Sequence, residues 1–132
     1  FMVFDQTRDM FTVAHAFAQF FAHESCGFCT PCRVGTALVL RRMDKLAAGL
    51  GSRWDRSDLD DLDALMRGTT HCGLGASSTH ALRDTLERFG DAYARRSSQP
   101  RFTPGFDLDG ELASARTATG RDDPRAHLEQ QG

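Results

Sequence analysis

From Met10 to Tyr93 apolar residues return at intervals of three and four, the period of an amphipathic helix and not of a strand. Met10, Ala14, Phe17 and Phe21 carry the first such face, widened by Val13 and Phe20. Asp5 offers a capping side chain, so the spacing predicts a helix over about 6–23 with its phenylalanines in the core. The stretch 24–32 loses the period and contains Gly27 and a Thr30-Pro31 step. Proline suits the first helical turn, where its missing N–H would go unpaired anyway. Thr30 as cap and Pro31 as first residue therefore open a second helix. Val39, Met43, Leu46 and Leu50 form its stripe, and Gly49 or Gly51 stops it.

Ser57, with Asp60 three positions on, is the expected start of a third, shorter helix that buries Leu59, Leu62, Leu65 and Met66 and ends at Gly68. The aspartates of 58–63 then form a solvated face near its positive end. Residues 69–78, with Gly73 and Gly75, read as a loop. A fourth helix over 78–93 carries Leu82, Leu86, Phe89 and Tyr93. Short connections between four such helices imply an antiparallel bundle. Beyond Arg96, Ser97, Ser98, Pro100 and Pro104 read as a linker, 107–119 as one more short helix, and 121–132 as a polar tail. The expected division is thus 1–96, a helical domain, and 97–132, linker, short helix and tail. Phe1-Met2-Val3-Phe4 reads as a short strand or the end of an earlier element, and a chain opening on Phe1 reads as cut from something larger.

Composition agrees with helices. The 132 residues suit one domain, and they include no Ile and only four Val, which disfavours sheet. Sixteen basic and 18 acidic residues leave a formal charge of −2, without the basic excess of a nucleic-acid or anionic-membrane binder. No apolar run approaches the ~20 residues of a spanning helix, and no secretory signal opens the chain. The expected setting is cytoplasmic, with no membrane span and no nucleic acid.

The chemistry lies in the cysteines. Cys26, Cys29 and Cys32 follow C-x₂-C-x₂-C, and Cys72 comes after 39 intervening residues. A disulfide framework would need an oxidising compartment, of which the sequence carries no sign. Structural zinc usually draws on two separated pairs, whereas here one arm holds three thiols and the other one. A [4Fe–4S] cubane needs four thiolates, and a tight three-cysteine loop closed by a remote fourth suits it best. Gly27 and Gly73 are expected to let backbone amides approach the sulfides, and the helix begun at Pro31 turns its positive end toward the anionic cluster. A zinc-stapled helical binding module stands as the alternative.

At these residues the chain resembles a known family. Glu24-Ser25-Cys26-Gly27-Phe28-Cys29-Thr30-Pro31-Cys32-Arg33-Val34-Gly35, with Thr70-His71-Cys72-Gly73-Leu74-Gly75, is similar to the C-terminal cluster domain of the NADH-oxidising flavoprotein subunit of respiratory complex I. It looks closer still to the beta subunit of soluble NAD-dependent formate dehydrogenases and the diaphorase subunit of NAD-reducing hydrogenases. The Cys72-Gly73-Leu74-Gly75 run and the tail Phe106-Asp107-Leu108-Asp109 carry that likeness. The resemblance implies an all-α fold, an antiparallel four-helix bundle with an iron–sulfur loop and an irregular C-terminal tail. It implies one [4Fe–4S] cluster on Cys26, Cys29, Cys32 and Cys72, with FMN and NAD(H) held upstream of Phe1. It also implies partner subunits with further iron–sulfur clusters and an electron-relay role. A formate dehydrogenase is the preferred setting, with a hydrogenase or an NADH-quinone oxidoreductase as alternatives.

Other residues read more plainly. His71 precedes a ligand and is read as a packed loop histidine, with tuning of the cluster as its second reading. His23 beside Glu24 is a polar helix end. Arg33 either offsets cluster charge or makes a surface salt bridge. The 58–63 aspartates lack the glycine and terminal glutamate of an EF-hand. No GxGxxG, P-loop or GxSxG motif is present, so the chain holds no catalytic residue of its own and is expected to bind neither FMN nor NADH by itself.

Overall fold

The first helix begins at Met10, later than its apolar spacing predicts, because Asp9 and not Asp5 caps it. The Asp9 carboxylate accepts the Phe11 N–H at 3.1 Å, while Asp5 is taken up in a turn, accepting the Thr7 N–H at 3.0 Å and the Thr7 hydroxyl at 2.6 Å. The computed structural model describes residues 2–99 and 108–122. Phe1, Pro100, Pro104, Phe106, Asp107 and most of the expected polar tail lie outside the described residues, and so do the readings made of them.

Among the described residues the fold is all-α, but with seven helices where four and a short fifth are expected. They are α1 Met10–Glu24, α2 Thr30–Ala47, α3 Arg53–Thr69, α4 Gly73–Ser77, α5 His80–Arg88, α6 Gly90–Ala94 and α7 Leu108–Thr119. Three elements differ from the expectation. Helix α3 starts well before Ser57, because the Asp55 carboxylate accepts both the Ser52 N–H at 2.8 Å and the Ser52 hydroxyl at 2.7 Å. Residues 73–77, expected as loop, wind into α4. The expected helix over 78–93 breaks at Phe89 (φ −127°, ψ 37°) into α5 and α6.

That break leaves Phe89 46% exposed, not in the core, and swings Tyr93 inward. The Tyr93 ring meets Phe11 edge-on at 5.1 Å, and its hydroxyl lies 2.7 Å from Thr85 Oγ1. Burial pushes the Tyr93 phenol up to about 12. The phenylalanine-rich face of α1 is also corrected. Phe11, Ala14 and Ala18 are the buried positions, Phe17 and Phe21 are half-buried, and Phe20 is 53% exposed. Two alanines on the inner stripe let neighbouring helices come close, where larger side chains would hold them apart. Likewise Leu50 and Leu65, expected in the core, are about half exposed, and Leu62 is partly buried.

The long helices meet at opposite ends. Helices α1 and α2 are joined by the short connection 25–29, and at the far end His15 Nε2 reaches Asp44 Oδ1 at 2.6 Å. Helices α2 and α3 are pinned at one end by Lys45 and Asp55. At the other end Gly35 admits Met66, whose Sδ would lie 2.6 Å from any Cβ placed there. Asp63 on α3 accepts the Thr79 hydroxyl at 2.6 Å just before α5, and Arg96 returns to Asp9 to close the ring. The shared core runs through Val39, Met43, Leu46, Leu59, Met66, Leu82 and Leu86. Among the described residues no helix is long and apolar enough to cross a membrane.

The Lys45–Asp55 pair makes stability acid-sensitive. Burial works to raise the Asp55 carboxyl. Hydrogen bonds from Lys45 and from the side chain and backbone of Ser52, with the Lys45 charge, outweigh it and hold the group below 3.8. A depressed carboxyl contributes stability that is present above 3.8 and is lost as pH falls through its lower folded value. The urea midpoint is therefore expected to hold from neutral pH down to that region and to fall below it. A midpoint that stayed level at lower pH would contradict this account of Asp55.

Candidate metal centre

Helix α1 stops at Glu24, where Ser25 takes the capping position and its N–H bonds back to the Phe21 carbonyl at 3.1 Å. The connection then turns through Gly27 at φ +74°, a left-handed conformation that a side chain resists. Arg33, in the first turn of α2, donates to the Gly27 carbonyl and to Thr30 Oγ1, tying the loop to the helix behind it. It makes no ion pair among the described residues, so the surface salt bridge expected of it is replaced by this loop-holding role. Cys29, not Thr30, is the N-cap of α2, with Thr30, Pro31 and Cys32 as its first three residues.

The second segment follows α3. The Thr70 N–H and hydroxyl both bond to the Met66 carbonyl, at 3.2 and 2.7 Å, and the chain turns so that Cys72 becomes the N-cap of α4. The two segments meet at His71. The backbone of His71, and after it that of Cys32, favours the Cys29 thiolate and holds its thiol below the ordinary 9.0 against the opposing effect of burial. The Phe28 ring lies edge-on to the His71 ring at 6.1 Å; within the first segment, Ser25 Oγ lies 3.3 Å from the buried Cys32 Sγ.

All four expected cysteines are free thiols placed on these two segments: Cys26 and Cys72 exposed, Cys29 half-buried and Cys32 buried. Among the described residues no three Cys, His, Asp or Glu side chains lie close enough together to hold a metal ion. The chemistry of the donors nevertheless fits a sulfur-ligated centre. Four thiols lie on two touching segments, and the backbone of His71 and Cys32 lowers the Cys29 thiol toward the thiolate that iron requires.

The remaining candidates fall as follows. The His71 ring is exposed against Phe28, and its backbone, not its imidazole, reaches the sulfur. His23 and Glu24 pair at 3.0 Å on the surface at the helix end. The aspartate face is only partly solvated: Asp58 pairs with Arg42 at 2.9 Å, and Asp63 is buried between Thr79 and Arg67. Among the described residues, a Cβ built on Gly73 meets nothing within 4 Å beyond its chain neighbours and its own helix backbone. Of these two glycines, Gly27 alone takes a left-handed backbone. Sequence reasoning missed Ser25. Its only local signal is the end of a helix, since its contact with Cys32 exists only once the chain has reversed.

Residues 12–96 match the family model of the NADH-ubiquinone oxidoreductase-F iron–sulfur binding region. The chain is 36% identical over 120 residues to the NAD-reducing hydrogenase HoxS subunit alpha of Cupriavidus necator, covering 89% of this chain and 20% of that subunit. It is 33% identical over 91 residues to an NADH-quinone oxidoreductase subunit of Mycobacterium tuberculosis, covering 69% of this chain and 20% of the relative. Among solved structures, a crystal structure of an NAD+-reducing [NiFe]-hydrogenase in the H2-reduced state superposes with a TM-score of 0.74 at 49% identity, over 96% of this chain and 22% of that one. The chain thus spans about a fifth of the length of these relatives. They are named for hydrogenase and quinone-oxidoreductase subunits, not formate dehydrogenase. The preference for formate drawn from the ligand motif and tail gives way to its hydrogenase and quinone-linked alternatives.

Proposed function

The chain belongs to the NADH-ubiquinone oxidoreductase-F iron–sulfur binding family, and from that premise we propose that it is an electron-relay domain carrying one [4Fe–4S] cluster on Cys26, Cys29, Cys32 and Cys72. The observation that carries this reading is the placement of four free thiols on two segments that meet where the Phe28 ring lies edge-on to the His71 ring at 6.1 Å. When bound, the cluster supplies one-electron exchange. The residues of this chain supply ligation, the His71 backbone and the Ser25 hydroxyl beside sulfur, and a helical scaffold that holds the two segments together.

The parent is read as a subunit of an NAD-linked multisubunit oxidoreductase, with FMN and NAD(H) bound on its other domains and further iron–sulfur centres on partner subunits. The hydrogenase setting is favoured over the quinone-linked one, because the likeness to the hydrogenase subunit spans 120 residues and the likeness to the quinone oxidoreductase subunit 91. Anaerobic reconstitution of the full chain with iron and sulfide tests the cluster. Brown protein with four irons per chain and a paramagnetic signal on one-electron reduction is expected. Colourless protein holding one zinc would replace this reading with that of a zinc-stapled module.

A further inference from the structure

Among the described residues Ser25 is the one side-chain hydroxyl placed against a cysteine sulfur. Its position is determined from three sides. As the C-cap of α1 its backbone is held by the Phe21 carbonyl, and its Oγ accepts the Gly27 N–H at 3.3 Å. That bond occupies a lone pair of the oxygen and leaves the hydroxyl proton to point elsewhere. Cys32 Sγ lies 3.3 Å away, on a side chain only 4% exposed, and Ser25 itself is half-buried, so little water competes for the contact.

With Cys32 as a thiol, either atom can donate. Once Cys32 is a deprotonated ligand its sulfur has no proton, and only Ser25 can donate. The contact then becomes a hydrogen bond to an anion, stronger than one between neutral groups. An electron added to the cluster spreads further negative charge onto the ligand sulfurs, so the bond strengthens on reduction. A donor that holds the reduced form more tightly than the oxidised form raises the reduction potential.

We propose that Ser25 sets the potential of the centre upward by donating its hydroxyl proton to Cys32 Sγ, acting as a positioning residue through that ligand. The inference rests on the reading of Cys32 as a cluster ligand. It goes further by naming the group that poises the relay for one-electron exchange with its donor and acceptor.

The test compares wild type, Ser25→Ala and Ser25→Thr as full-length chains, reconstituted anaerobically, by iron content and by a redox titration followed by electron paramagnetic resonance. Ser25→Ala is expected to keep four irons with its reduction equilibrium shifted about tenfold toward the oxidised form, which is 59 mV lower for a one-electron couple. Ser25→Thr, which keeps the hydroxyl, is expected to titrate with the wild type. A fully loaded Ser25→Ala with the wild-type potential would overturn this inference alone. Loss of iron from Ser25→Ala, whether or not Ser25→Thr keeps it, would assign Ser25 to assembly and also overturn the tuning role. A wild-type chain that took up no iron would overturn the relay reading, and this inference with it.

Discussion

Cys72→Ser is expected to drop iron below four per chain and to loosen the segment 69–79 while the rest of the bundle stays folded. Cys72 comes 39 residues after Cys32, and the packing of α2 on α3 already brings its segment back toward the other three thiols. In the loaded protein an iron–thiolate bond would hold that segment in place, and metal-site free energy becomes folding free energy. Cys72 itself is exposed, as are His71 and Gly73, so few protein contacts would replace the lost bond. The damage stops at α5 because Thr79 is buried and its hydroxyl is held by Asp63. Met43, Leu46, Leu59 and Met66 are wholly buried without help from any cysteine. Hydrogen exchange should show lost protection over 69–79 with α1, α2 and α3 little changed, and the melting temperature should fall toward that of the iron-free chain. Equal melting temperatures for the variant, the iron-free chain and the iron-loaded wild type would make the cluster a passenger on an already stable bundle.

Asp55→Ala acts at the other end of α2 and is expected to lower stability by about 3–5 kcal/mol, the range for removing one partner of a buried ion pair. Lys45 Nζ lies 2.7 and 2.8 Å from the two Asp55 oxygens, and neither side chain has more than 5% of its surface exposed. The substitution takes away the carboxylate that neutralises a buried ammonium. It also removes the acceptor of the Ser52 N–H and hydroxyl at the start of α3. Pairing it with Lys45→Met should recover much of the loss, because an apolar side chain of similar length needs no counter-charge. Urea unfolding of the two single variants and the double variant measures this coupling. A loss within the ~1 kcal/mol typical of an exposed pair would show that water reaches Lys45.

Much of the outline was legible in the sequence, because its signals are local. A 3.6-residue period, Pro31 in the first turn of α2 and Gly49 at φ +73° act within a few residues of themselves, so the all-α class and the body of α1, α2 and α3 follow from order alone. The cysteine spacing likewise announced a sulfur-rich centre before any coordinates. The tertiary structure decided the rest. Which face of α1 turns inward depended on how closely neighbouring helices approach, and that selected Phe11, Ala14 and Ala18 over the larger phenylalanines. Packing also tied the Ser52–Asp55 cap of α3 to α2, through the buried Lys45–Asp55 pair. At the centre, the sequence named the thiols but not the donors beside them. The His71 backbone meets Cys29 only after two remote segments have packed, and the Ser25 hydroxyl meets Cys32 only after the connection between α1 and α2 has turned back. Local order is written in residue spacing; the choice of buried face and of hydrogen-bond partner belongs to elements far apart in sequence, and only their packing makes it.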